Sequence, residues 1–257
     1  MIDKLKEEIF DLEIDSGFRF DCHSGLSCYN TCCSELEIVL SPYDILRLKN
    51  RLGISSSEFL LRYTDTSIAK ETNLPFIKLR MDDNNRCRFV EQEGCSIYKD
   101  RPMVCRYYPL GYGVAKKGKD GGDFYFLIKE DFCKGHSVDR QWTVRQWKQD
   151  LEIELYEDMN KDWVEIILKK KLAGGDKVPD DKSIRMFFMG SYDVDSFRDF
   201  VFKSAFLNTF DLEDEEIEML RQDEAELMKF AHRWLLFALF KVPTLILKKD
   251  AVRVKCQ

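Results

Sequence analysis

Eight of the nine cysteines fall between Cys22 and Cys133, in two groups: Cys22, Cys28, Cys32 and Cys33, then Cys87, Cys95, Cys105 and Cys133. Cys256 stands apart near the C-terminus, where a free surface thiol is the simplest expectation. Thiols used as small core residues would be scattered along the chain, so their confinement points to a shared role. A disulfide framework is one alternative. It sits badly with the opening Met-Ile-Asp-Lys-Leu-Lys-Glu-Glu, which lacks the apolar stretch of an export signal, because cytoplasmic thiols stay reduced. In reducing surroundings clustered cysteines serve as metal ligands or as catalytic groups. Metal ligation by all eight is the expectation.

The spacings narrow the chemistry. The first group runs Cys22-x5-Cys28-x3-Cys32-Cys33 and the second Cys87-x7-Cys95-x9-Cys105, with Cys133 after a long interval. None of these is the C-x2-C pair by which one turn chelates zinc with little loop entropy, so a zinc ribbon is disfavoured. The neighbours Cys32 and Cys33 are the most informative. Adjacent side chains diverge by about 180° in a strand and about 100° in a helix, so one tetrahedral ion has difficulty collecting both. Two sites, or one larger cluster with ligands on several sides, would use them naturally. That favours iron–sulfur chemistry over a single zinc, with a pair of zinc sites as the competitor.

Around the second group the chain reads Gly94-Cys95-Ser96-Ile97-Tyr98-Lys99-Asp100-Arg101-Pro102-Met103-Val104-Cys105-Arg106-Tyr107-Tyr108-Pro109. Pro102 is suited to open a short helical turn. Arg101 and Arg106 place fixed positive charge near thiolates, where they would temper negative charge or bind an anionic cofactor; surface pairing with Asp100, Glu91 or Glu93 is the alternative. Tyr98, Tyr107 and Tyr108 would shield a cluster from water or pack in a core. His23 and His136 lie close enough to Cys22 and Cys133 to ligate or tune a metal, or to be ordinary surface histidines. His232, in an apolar helical stretch, reads as structural.

The first cysteine group, Gly-Cys-Ser-Ile-Tyr, Arg-Pro-x-x-Cys-Arg-x-Tyr-Pro and the later Phe132-Cys133 together resemble the YkgJ-type cysteine-cluster family, whose signature is called the CxxCxxCC or zinc- or iron-chelating domain. The resemblance spans roughly residues 18–136, with first-group spacings wider than the named pattern. It implies metal binding, by zinc or iron. A more distant similarity to the flagellin lysine N-methylases implies a 4Fe–4S cluster in methyl transfer to a protein side chain, and a methyl donor such as S-adenosylmethionine. Only the cysteines, and Arg101 and Arg106 beside them, carry over. Gly111-Tyr112-Gly113 and Gly174-Gly175 lack the G-x-G-x-x-G spacing of a nucleotide-binding turn.

These residues need elements to position them, and the pattern predicts an α+β fold. Leu5, Ile9 and Leu12 mark a short helix over 1–14. Residues 16–37 read as a loop. Ser41-Pro42-Tyr43-Asp44 starts a helix that Gly53 stops, and a second follows from Ser56 or Ser57 to Tyr63. Strands are expected at 74–81, 110–115 and 123–128, with turns at Asp82–Asn85 and Lys116–Gly122. From Thr143 one helix is expected to carry Trp147, Leu151, Leu155, Met159, Trp163 and Ile167 on a slowly drifting face until Gly174 and Gly175, followed by helices over 192–207 and 214–240. The expected organisation is a metal-binding cysteine module at 1–140 and a helical region at 141–257 packed on it, its aromatic residues forming core.

The 257 residues are 44% hydrophobic and 33% charged, a globular composition with a core to bury. Forty basic against 46 acidic residues give a net charge of −6, which argues against nucleic acid as a partner. The longest apolar run, Trp234 to Phe240, is far short of the roughly 20 residues of a membrane span. The expectation is a soluble, cytoplasmic iron–sulfur protein acting on a protein substrate. The alternative is a non-catalytic protein whose zinc or iron is structural, stored or delivered, with the helical half as an interaction surface.

Overall fold

The computed structural model describes residues 12–114, 123–174 and 178–249. Leu5, Ile9, the expected turn at 116–122, Gly175 and Cys256 lie outside them. The fold is α+β, with ten α-helices and four small antiparallel sheets among the described residues. The chain divides into two compact units that interleave in sequence. The first holds the residues up to Ile38 together with Met81–Leu155; the second holds Val39–Arg80 and the residues from Tyr156 onward.

In the first unit β1 (Gly17–Arg19) pairs with β9 (Gln141–Thr143), a ladder inside what reads as a loop in sequence because three residues carry too little pattern. β5 (Val90–Glu91) and β6 (Gly94–Cys95) form a short hairpin. β7 (Leu110–Val114) pairs along its length with β8 (Asp123–Leu127), as expected. α3 (Met103–Tyr107) follows Pro102, and α4 (Val144–Asp150) is opened by Thr143 and Gln146 in a reciprocal capping box. Phe18, Phe20, Tyr107, Leu110, Tyr125, Val144, Trp147, Leu151 and Ile153 make its core. Phe18 and Phe20 both meet the edge of Trp147, with centroids 5.8 and 5.6 Å away.

In the second unit β2 (Val39–Leu40), β4 (Pro75–Leu79) and β3 (Thr64–Ile68) form a sheet in the order β2-β4-β3. α1 (Pro42–Leu52) begins with Ser41 and Asp44 capping each other and stops at Gly53 with φ 65°. α2 runs Ser56–Tyr63. Asn160 of α5 (Ile153–Leu172) is buried and ties down the start of α1, accepting from the Tyr43 N–H at 3.2 Å and donating to the Ser41 hydroxyl at 3.1 Å.

The single helix expected from Thr143 is broken. α4 ends at Leu151, and Glu152 takes φ 54° before α5 starts. The break resets the helical face, so Leu155 of the expected stripe is exposed and Met159 buried, while Ile153, Tyr156 and Ile166 are fully buried. The expected helix at 192–207 is α7 (Val194–Lys203) and α8 (Phe206–Thr209), separated by extended Ser204 and preceded by α6 (Asp181–Tyr192). The expected 214–240 helix divides at Asp223 into α9 (Asp214–Gln222) and α10 (Glu224–Phe240). There the Asp223 carboxylate accepts the Ala225 and Glu226 N–H groups. The aromatics are core: Phe187, Phe197, Phe206, Phe230 and Trp234 are buried. No helix among the described residues is long and apolar enough to cross a membrane.

His232 sits fully buried in α10 with neither ring nitrogen hydrogen-bonded, and burial pushes its pKa down to about 3. The folded state therefore keeps it neutral, whereas the unfolded chain protonates it below about pH 6.5. Stability is expected to fall as pH drops from 6.5, by roughly 2 kcal/mol at pH 5. His232→Leu should flatten the dependence of Tm on pH between 7 and 5; an unchanged slope would refute this.

Candidate metal centre

All eight clustered cysteines belong to the first unit, and none of them is in a disulfide. Cys22, Cys28, Cys32 and Cys33 lie on a segment, residues 21–37, in which no residue is buried. Its backbone is a run of tight turns: Leu26 donates to His23, Tyr29 to Leu26, Thr31 to Cys28 and Cys33 to Asn30. Apolar packing therefore does little to order it.

Distant parts of the chain hold this segment at both ends. The Phe20 N–H donates to the Arg140 carbonyl at 3.0 Å and the Asp21 N–H to the Gly135 carbonyl at 3.1 Å. The Lys134 N–H donates to Cys28 Sγ at 3.2 Å, which sets the Cys28 thiol against the residue after Cys133. Gly135 permits that approach, because a Cβ there would lie 2.6 Å from the Asp21 carbonyl oxygen. At the other end the Cys87 N–H donates to the Cys33 carbonyl at 2.8 Å and Ser34 bridges Arg86. The predicted turn at Asp82–Asn85 forms, with the Asn85 N–H on the Asp82 carbonyl at 3.0 Å, and returns the chain so that Met81 pairs with Cys87. The β5–β6 hairpin then sets Cys95 opposite Val90, whose N–H donates to the Cys87 carbonyl.

The thiol chemistry follows from these positions. Partial desolvation among the neighbouring thiols is the main cause that raises Cys22, an exposed residue, to about 11, with the thiols of Cys32, Cys28 and Cys133 adding to it. Cys33 donates a hydrogen bond to Cys32, which lowers Cys32 and raises Cys33; Cys87 and Cys105 also lie close enough to raise Cys33. Burial raises Cys87 and Cys95, opposed by N–H groups of Phe89 and Val90 at Cys87 and of Ile97 at Cys95. Such N–H donors stabilise a thiolate once metal has displaced its proton. Among the described residues, no three His, Cys, Asp or Glu side chains already stand as a group that grips one ion.

The donor set nonetheless suits zinc or iron, since soft thiolates select both. The buried Tyr108 hydroxyl points the same way. It has no oxygen or nitrogen partner and faces the Cys133 thiol, which together with burial raises its pKa. A metal-bound thiolate at Cys133 would accept its hydrogen bond.

The two arginines differ in their surroundings. Arg101 is buried, lies 3.9 Å over the Tyr98 ring, donates to the Tyr98 carbonyl at 2.7 Å and has Cys95 and Cys105 nearby; burial lowers its pKa. Arg106 is 2% exposed and gives most of its donors to backbone carbonyls, Nε to Arg101 at 3.0 Å, Nη1 to Leu151 at 2.7 Å and Nη2 to Lys99, with Nη1 also 3.5 Å from the Glu152 carboxylate. Tyr107 belongs to the core, whereas Tyr98 is exposed. His23 Nδ1 accepts the Gly25 N–H at 3.1 Å. His136 bonds the Ile128 carbonyl at 3.0 Å through Nε2, also meets the Arg19 backbone and packs on Phe20, and burial lowers its pKa.

Sequence reasoning overlooked Tyr29, which has Cys22, Cys33 and Cys95 around it. Its hydroxyl fills the place a Cβ would take on Gly94, which has φ 129°. The only signal was a glycine directly before Cys95.

The family model CxxCxxCC, described as a putative zinc- or iron-chelating domain, matches residues 21–149. That span holds all eight clustered cysteines and half of the chain. No curated protein and no solved structure matches it.

Proposed function

The chain belongs to the CxxCxxCC family of zinc- or iron-chelating domains, and from that premise we propose that its function rests on metal held by the eight thiols of the first unit. The observation that carries this reading is their state and place. All eight are cysteines outside any disulfide in one unit, and four sit on a segment with no buried residue to order it. Thiolate ligation supplies what packing does not.

The divergence of Cys32 and Cys33, which favoured an iron–sulfur cluster, is served equally well by two separate ions. Zinc would act by fixing the fold; a 4Fe–4S cluster would supply electron transfer or substrate activation. Methyl transfer to a protein side chain, with S-adenosylmethionine as donor, rests on the similarity to flagellin lysine N-methylases and belongs to the iron–sulfur branch. In either branch Arg101 offsets thiolate charge near Cys95 and Cys105, and the N–H groups of Phe89, Val90, Ile97 and Lys134 hold sulfurs in place.

Metal and acid-labile sulfide analysis of protein purified without oxygen tests this. Brown protein with iron and sulfide near equal selects the iron–sulfur branch. Colourless protein with zinc selects structural metal. Protein that carries no metal and takes up neither ion when reduced would overturn the reading.

A further inference from the structure

We propose that the eight thiols form two four-thiol metal sites that part between the neighbours Cys32 and Cys33: Cys22, Cys28, Cys32 and Cys133 hold one metal, and Cys33, Cys87, Cys95 and Cys105 hold the other. The inference rests on the reading that these thiols bind metal, and it says which of them share an ion.

The backbone supplies the first argument. Cys133 is the last of the second sequence group, yet the Lys134 N–H is bonded to Cys28 Sγ and Gly135 to Asp21, which carries Cys22 beside it. Cys133 is thus held with the first group. Cys33 is the last of the first group, yet its carbonyl accepts the Cys87 N–H, and Ser34 bridges Arg86. Cys33 is thus held with the second. The β5–β6 hairpin folds Cys95 back toward Cys87, and Pro102 starts the turn whose carbonyl receives the Cys105 N–H at 2.9 Å.

The thiols' surroundings agree with this division. Cys22 has Cys32, Cys28 and Cys133 as thiol neighbours. Cys33 has Cys87 and Cys105, besides Cys32. Cys87 has Cys95. Tyr108 has Cys133 and Cys32 on one side of it. The Cys32–Cys33 contact crosses the line, as adjacent residues with diverging side chains allow, and Tyr29 stands between the sets with Cys22 on one hand and Cys33 and Cys95 on the other. Each set numbers four, the count that closes a tetrahedral zinc or binds a 4Fe–4S cluster.

Cobalt(II) titration of the metal-free, reduced full chain provides the test, with thiolate-to-cobalt and d–d absorption as readouts. The expected endpoint is two equivalents. Cys28→Ser/Cys133→Ser should keep one equivalent and Cys87→Ser/Cys95→Ser should keep one, whereas Cys28→Ser/Cys87→Ser should lose tetrathiolate absorption. One equivalent in the unaltered chain, or loss of both sites on removing Cys28 and Cys133, would overturn the division. An unaltered chain with no thiolate absorption would instead overturn metal binding itself. Should a variant fail to fold, alkylation of the unaltered chain loaded with one metal decides the matter. Fragmentation of the one-metal species should show one set of four protected together, and protection that mixes Cys28 with Cys87 would refute it.

Discussion

Withdrawing metal from the reduced protein with a strong chelator is expected to release residues 21–37 from the fold while the helices of the second unit persist. The segment has no buried residue, and its own hydrogen bonds are single turns that water can replace. Its long-range ties, among them those at Asp21, Cys28, Asn30, Cys33, Ser34 and Glu35, are individually worth about 1 kcal/mol. A structural metal contributes on the order of 10 kcal/mol to such a site, which is comparable with the whole stability of an ordinary domain. Amide exchange should show protection of 21–37 collapsing on chelation. Emission from Trp142 and Trp147 should shift, because β1, which pairs with the Trp142 strand and packs Phe18 on Trp147, leads directly into this segment. The far-UV signal of α5 to α10 should largely remain. Retained protection of 21–37 in metal-free protein would sink the idea.

Replacing Arg106 by Met should destabilise the first unit by roughly 3 kcal/mol, since each buried carbonyl left without its donor costs about 1–3 kcal/mol. The methionine keeps an apolar stem, but the carbonyls of Lys99, Arg101 and Leu151 lose their donor, and those of Arg101 and Leu151 are buried. Arg106→Lys should recover little, since a single ammonium cannot reach three carbonyls that a guanidinium fork spans. Urea unfolding of the loaded protein, followed by the first unit's tryptophans, measures this. A cost below about 1 kcal/mol, combined with loss of an anionic cofactor, would show that Arg106 serves the site directly rather than bracing Lys99–Arg101 against Leu151.

Much of the local structure was legible. Ser41, Pro42, Asp44 and Gly53 bound α1 by capping chemistry that acts within one turn, and Thr143 opens α4 in the same way. Alternation revealed β4, and the strand candidates on either side of the expected turn at 116–122 are β7 and β8. The interruptions were not legible. Glu152 adopts a left-handed φ, a conformation that glutamate rarely signals, and Asp223 reads equally well as a helix interior or a cap. Nor could periodicity show that residues 39–80, which separate the two cysteine groups in sequence, join the helices from Tyr156 onward. That grouping arises from pairing such as Asn160 with Ser41, across more than a hundred residues.

The sequence by itself determined the chemistry of the site, because eight thiols between Cys22 and Cys133 make a soft donor set wherever they fold. Which thiols are neighbours was decided only by the tertiary structure. Lys134 meets Cys28 and Cys87 meets Cys33 through single hydrogen bonds between segments far apart in the chain. Spacing along a chain limits how far two residues can be apart, but the direction in which each side chain leaves the backbone depends on the strands and turns that fold around it.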